Sequence, residues 1–172
     1  MTARIALLLA VAFLSAAGCA RRPPDGGAPL PSIDQPGLAQ VLEKHRNQVV
    51  LVEFWATWCE PCLKLLPHTV ALEKRLGDRG LVVITVSLDS TDQESAVRKR
   101  LADNGAQNED FLSIYGVGSD AFTAFGIEDG ALPHVRLYDR QGTLRRTFAS
   151  GGKAIDPTAI EKAVQQLLKA DY

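Results

Sequence analysis

A chain of 172 residues with 46% hydrophobic content can bury one proper core, which excludes two independent domains of ordinary size. Its 19 basic side chains against 20 acidic ones leave a formal net charge of -1, and so no electrostatic case for nucleic acid or an anionic surface as partner. Partner choice therefore rests on local shape and chemistry.

The first 18 residues have the layout of an export signal: Arg4, the apolar segment Ile5 to Leu14, then Ser15-Ala16-Ala17-Gly18. That apolar segment is too short to span a bilayer, for which roughly 20 residues are needed. Cys19, directly after Ala16-Ala17-Gly18, resembles the lipidated cysteine of a bacterial lipobox, which implies a lipid anchor in the membrane and placement in the cell envelope, on its periplasmic side. A plain cut after Ala17, leaving a soluble protein, is the alternative. Residues 19–35 are then expected to form a flexible tether, since Arg21 to Pro36 holds five prolines and two glycines and little that could join a core.

The folded domain is expected over residues 36–172. Leu38, Val41, Leu42 and His45 share one helical face after Pro36. Val49 to Trp55 reads as a strand buried on both faces, because its apolar residues do not alternate. A helix from about Cys59 to Leu76 follows, with Leu65, Thr69, Leu72 and Leu76 as its buried stripe, Pro67 as a kink, and Gly77 and Gly80 as its end. Leu81 to Leu88 is a second buried strand, and Thr91-Asp92-Gln93-Glu94 has capping-box form ahead of a helix to about Asn104. A short strand at Phe111 to Tyr115 and a short helix at Ser119 to Phe125 come next. His134 to Tyr138 and Thr143 to Phe148 flank a turn at Asp139-Arg140-Gln141-Gly142 and form an antiparallel hairpin, and Asp156-Pro157 opens the last helix. Strands alternating with helices, closed by a hairpin and a helix, predict an α/β fold with a central mixed β-sheet covered by helices on both faces.

The chemistry is concentrated in Trp58-Cys59-Glu60-Pro61-Cys62, where a buried strand hands over to a helix. Unpaired backbone N–H groups and the positive end of the helix dipole favour thiolate at the first cysteine. Cys62 lies one turn deeper, within bridging distance. Cys59 is therefore the expected nucleophile and Cys62 the resolving thiol, the two forming a redox disulfide. Of three cysteines, Cys19 is taken by the lipobox, so no structural disulfide is left over. Half a zinc site is the competing reading, but there is no second CxxC or paired-histidine run to complete it. Covalent haem attachment is disfavoured because Leu63 stands where CxxCH needs histidine. Glu53 is a carboxylate in an otherwise apolar strand. Buried, its pKa would rise and it could exchange a proton with Cys62; at a strand edge it would merely be solvated.

The segment Val52-Glu53-Phe54-Trp55-Ala56-Thr57-Trp58-Cys59-Glu60-Pro61-Cys62, with Pro67 beyond it, resembles the active-site segment of the thioredoxin superfamily. Leu132-Pro133 resembles that family's cis-proline segment, and Gly151-Gly152 its glycine turn before the last helix. The resemblance covers about Pro36 to Tyr172 and implies a thioredoxin-like fold. It also implies the buried acid at Glu53, a cis bond at Pro133 that lets the Leu132 backbone pair with an extended substrate segment, and an apolar docking face at Trp58. The wording of the motif resembles the exported TlpA-like and ResA-like reductants. This chain departs from them in having Leu63-Lys64-Leu65-Leu66 where an acidic residue is usual, no extra leading hairpin, and a longer stretch from Gly126-Ile127 to Pro133 than thioredoxin has.

The resemblance implies a thiol-disulfide oxidoreductase that needs no organic cofactor or metal. Its partners are disulfide-containing exported proteins and a membrane-bound electron donor. Glu60 between the cysteines opposes negative charge on Cys59, which predicts a reducing pair. An oxidant of exported proteins is the alternative among enzymes. A copper-binding module using Cys59, Cys62 and His134, and a binding protein switched by the disulfide, are the alternatives from other classes. His68 and His45 are read as surface or packing residues.

Overall fold

The computed structural model describes residues 28–106, 109–149 and 151–170. The signal segment 1–18 and Cys19 lie outside them. Six strands form one sheet: β1 (Ser32–Ile33), β2 (Val49–Trp55), β3 (Leu81–Ser87), β4 (Glu109–Ser113), β5 (His134–Tyr138) and β6 (Leu144–Ala149), in the order β1-β4-β3-β2-β5-β6. The first four run parallel, β5 runs antiparallel to β2, and β6 antiparallel to β5. Among the described residues five α-helices are formed: α1 (Gln35–Lys44), α2 (Glu60–Leu76), α3 (Glu94–Asn104), α4 (Ser119–Ala124) and α5 (Pro157–Lys169). The mixed, doubly covered α/β sheet is the architecture expected.

The chain steps from β2 to β3 to β4 in one direction across the sheet, so right-handed crossovers place α2 and α3 on one face. There α2 also packs against α5. On the other face α1 and α4 flank a cleft with Arg136 and Tyr138 of β5. The register assigns side chains to these faces: Val50, Val52 and Phe54 with Tyr138, Arg136 and His134 on the α1 side, Leu51 and Glu53 with Leu137 and Val135 on the α2 side. Strands β2 and β3 are buried at every position, matching their unbroken apolar runs.

Two local expectations are corrected. The stretch read as tether ends in structure: Ser32–Ile33 pairs parallel with β4, Leu112 N–H donates to the Pro31 carbonyl, and Ile33 is buried. A two-residue edge strand carries too little periodicity to stand out among prolines. Nor does Thr91 cap α3. Residues Thr91–Gln93 form a 3-10 turn, and the Glu94 carboxylate that a capping box would turn back on the helix accepts instead from Leu30 N–H at 2.9 Å.

Candidate active site

Strand β2 ends at Trp55, and within four residues the chain enters α2 with Cys59 as its N-cap, φ -88° and ψ 97°. Cys59 Sγ accepts from Cys62 N–H at 3.2 Å, so the sulfur itself occupies the place of a capping oxygen. Pro61 sits in the first turn, where a missing N–H costs nothing. The two cysteines are joined by a disulfide with a Cα–Cα distance of 5.2 Å. Cys59 is 4% exposed and Cys62 fully buried, which orders them as outer and inner thiol.

The turn leading into this helix is fastened by a residue the sequence reading did not single out. Asp89, fully buried just after β3, accepts from Thr57 N–H at 2.9 Å, Thr57 Oγ1–H at 2.6 Å and Ser87 Oγ–H at 2.7 Å. The Leu88 N–H to Trp55 carbonyl bond, 2.8 Å, continues the β2–β3 pairing to the same point. The signal available beforehand was a lone Asp at the end of an apolar run, which also describes many turn residues.

Glu53 is buried on the α2 face of β2 and its Oε2 accepts from Thr69 Oγ1–H at 2.5 Å. Burial lifts its pKa from 4.5 to about 8, with the Thr69 hydrogen bond opposing the rise. Oε1 is buried without a partner, as is Trp55 Nε1 two residues along the same strand face. Thr69 lies two turns past Cys62, about 10 Å along the helix axis. The carboxyl is thus held beneath α2 by a hydroxyl rather than by a thiol.

Glu60 is turned outward, where its carboxylate pairs with Lys64 at 2.7 Å and both side chains are well exposed. Lys64 pulls its pKa down, first through the hydrogen bond and then through its charge. The opposition to a Cys59 thiolate expected of Glu60 is therefore weakened by a neighbouring cation and by solvent.

The Leu132–Pro133 bond is cis, and Leu132 packs in the same apolar cluster as Cys59 and Cys62. Trp58 beside the nucleophile is 55% exposed, whereas Trp55 is fully buried. His134 is engaged elsewhere: its Nε2 accepts from Arg136 Nε–H at 3.3 Å, its Nδ1 lies 3.8 Å from Asp129 Oδ1, and its ring meets Phe54 edge-on. Among the described residues no group of three or more His, Cys, Asp and Glu side chains is arranged to hold a metal ion. His68 is exposed on α2.

A family model described as Redoxin matches residues 21–164. The thiol-disulfide oxidoreductase ResA of Bacillus thuringiensis (strain Al Hakam) is 28% identical over 109 residues, which is 63% of this chain and 59% of that protein. The chain thus spans about three fifths of the length of that relative. Among solved structures, a thiol:disulfide interchange protein of the thioredoxin family from Chlorobium tepidum TLS superposes with a TM-score of 0.60 at 19% identity, covering 83% of this chain and 98% of that one. A thiol-disulfide isomerase from Corynebacterium glutamicum gives 0.62 at 19% identity, covering 75% and 86%. At such identities the structural matches speak for the thioredoxin-like fold. The match over residues 21–164 takes in the capped disulfide and the cis-proline segment, and the chain belongs to the Redoxin family and has a thioredoxin-like fold.

Proposed function

We propose that this protein is a thiol-disulfide oxidoreductase that reduces disulfides of exported proteins on the outer side of a bacterial membrane. One observation carries the reading: a buried dithiol pair whose outer sulfur caps a helix N-terminus beside an exposed tryptophan. In the reduced form, Cys59 thiolate attacks one sulfur of the partner's disulfide. That bond breaks, a mixed disulfide forms, and the partner's other sulfur leaves as a thiolate that is protonated by solvent. Cys62 then gives up its proton and attacks Cys59 Sγ, releasing the partner's second thiol and leaving the Cys59–Cys62 bridge. Two electrons pass to the partner, and a membrane-bound donor must return them.

In this reading Glu53 takes up the Cys62 proton, for which a pKa of about 8 suits it. Its station beside Thr69 calls for a relay rather than direct contact. Trp58 supplies the apolar docking face, and the Leu132 backbone ahead of Pro133 pairs with the partner's extended segment. Residues 1–18 direct export and Cys19 carries the lipid that keeps the domain at the membrane.

The test is capture. With Cys62→Ser expressed in its own envelope, the mixed disulfide cannot resolve, and exported proteins should accumulate on Cys59, separable by reducing agent. No captured protein, together with no reduction of a generic disulfide by the wild type, would remove the reading.

A further inference from the structure

Two features of the sequence are left unused by the exchange reaction: His134 directly after Pro133, and the lengthened stretch between Gly126 and Pro133. The fold brings them together. The stretch carries Asp129 to the start of β5, where Oδ1 lies 3.8 Å from His134 Nδ1. Both side chains line a cleft of about 420 Å3, which Glu128 and Thr147 also border. His134 follows the cis bond immediately, and Leu132 on its other side belongs to the same apolar cluster as Cys59, so the cleft opens next to the cis-proline segment that the dithiol reading assigns to partner docking.

The imidazole decides what the cleft can hold. Arg136 Nε–H donates to His134 Nε2, so in the neutral ring the proton is on Nδ1. Burial, then the Arg136 charge, hold the His134 pKa below its ordinary value against the pull of Asp129, which keeps the ring neutral at pH 7. With the residue 4% exposed, Nδ1 is a buried donor without a hydrogen-bond partner. Beside it Asp129 offers acceptors: Oδ2 takes Gly151 N–H at 3.3 Å, while Oδ1 stands just beyond reach of the ring.

A cation entering the cleft would satisfy Asp129 but meet the Nδ1 proton and the Arg136 charge. An anion would satisfy Nδ1 but meet Asp129 and Glu128. A carboxamide carries an acceptor and a donor on one carbon and satisfies both neighbours. Arg136 does not compete for it, because its guanidinium donates to the Phe125 and Gly126 carbonyls at 2.6 and 2.8 Å and lies over the Phe54 ring.

We propose that the cleft between Asp129 and His134 is a subsite for an asparagine or glutamine side chain next to the partner's reacting cysteine, its carbonyl accepting from His134 Nδ1 and its amide donating to Asp129. The subsite rests on the dithiol reading above and gives it a substrate preference.

The experiment uses the full chain and disulfide-bridged peptides that differ only at the positions flanking the cysteine, where Gln, Leu, Lys or Glu is placed. At one position the kcat/KM for Gln should exceed that for each of the other three by about tenfold, the effect of two matched buried hydrogen bonds. The Gln-to-Leu ratio should fall toward one in Asp129→Ala and in His134→Phe. The ratio is taken within each protein, so a loss of overall stability in a variant cancels. Equal rates for the four peptides, a preference for Lys or Glu, or a ratio that survives both substitutions would overturn the subsite. Failure of the wild type to reduce even bis(2-hydroxyethyl) disulfide would instead remove the dithiol reading beneath it.

Discussion

Glu53 is the side chain whose properties owe most to its surroundings. With a pKa of about 8 when folded and 4.5 when free, the native state holds a proton that the unfolded chain has lost across that interval. Glu53 should therefore contribute a fall in stability as pH rises from 4.5 to 8, and Glu53→Gln should lack that fall and be firmer at pH 8.5, by about 3–5 kcal/mol. Denaturant midpoints of the oxidised proteins at pH 5, 7 and 8.5 measure this. The same substitution should lower kcat more than it raises KM, and identical pH-rate profiles for the two proteins would take Glu53 out of the mechanism. Asp89 makes a different prediction. Asp89→Ala strands three donors next to the catalytic turn and should cost about 2–4 kcal/mol. Thermal unfolding checks it, and Asp89→Asn, which keeps one acceptor, should lose less. The Cys59–Cys62 pair and the oddity of Glu53 were legible in the sequence because each breaks its local pattern. Asp89 was not, since its meaning comes from Thr57, distant along the chain and adjacent only across two paired strands.

At the scale of elements, β2 and α2 were readable because their signals are local and agree: an unbroken apolar run, a cysteine at a capping position, then a buried stripe. Helix α2 runs through Pro67, which is exposed and removes only the bond to the Leu63 carbonyl. Strand β1 shows the opposite case. Its two residues become a strand only because β4 offers them an edge. Ile33 is 4% exposed in the main core, so Ile33→Ala should destabilise the domain by about 2–4 kcal/mol, which a flexible tether could not do. A urea midpoint unchanged by that substitution would return the segment to the tether. The cap of α3 was misread for a related reason: Glu94 answers to Leu30, a distant backbone group that outbids the local one.

For the molecule as a whole, the arrangement of strand ends predicts how the two thiols differ once reduced. Cys59 at the helix start and Cys62 beneath it should be alkylated at rates at least about tenfold apart, the outer one first and at neutral pH. Iodoacetamide labelling followed by peptide mapping reads this, and equal rates would dissolve the distinction between nucleophile and resolving thiol. The chain order of strands and helices from α1 onward, the dithiol and its place at a helix start were determined by the sequence alone, because hydrophobic period, capping and cysteine spacing act over a few residues. What only the tertiary structure decided is which distant groups share a site: Thr69 under Glu53, Asp89 under Thr57, Asp129 beside His134. Those pairings follow from crossover handedness and strand register, which bring together residues that no window of the sequence contains.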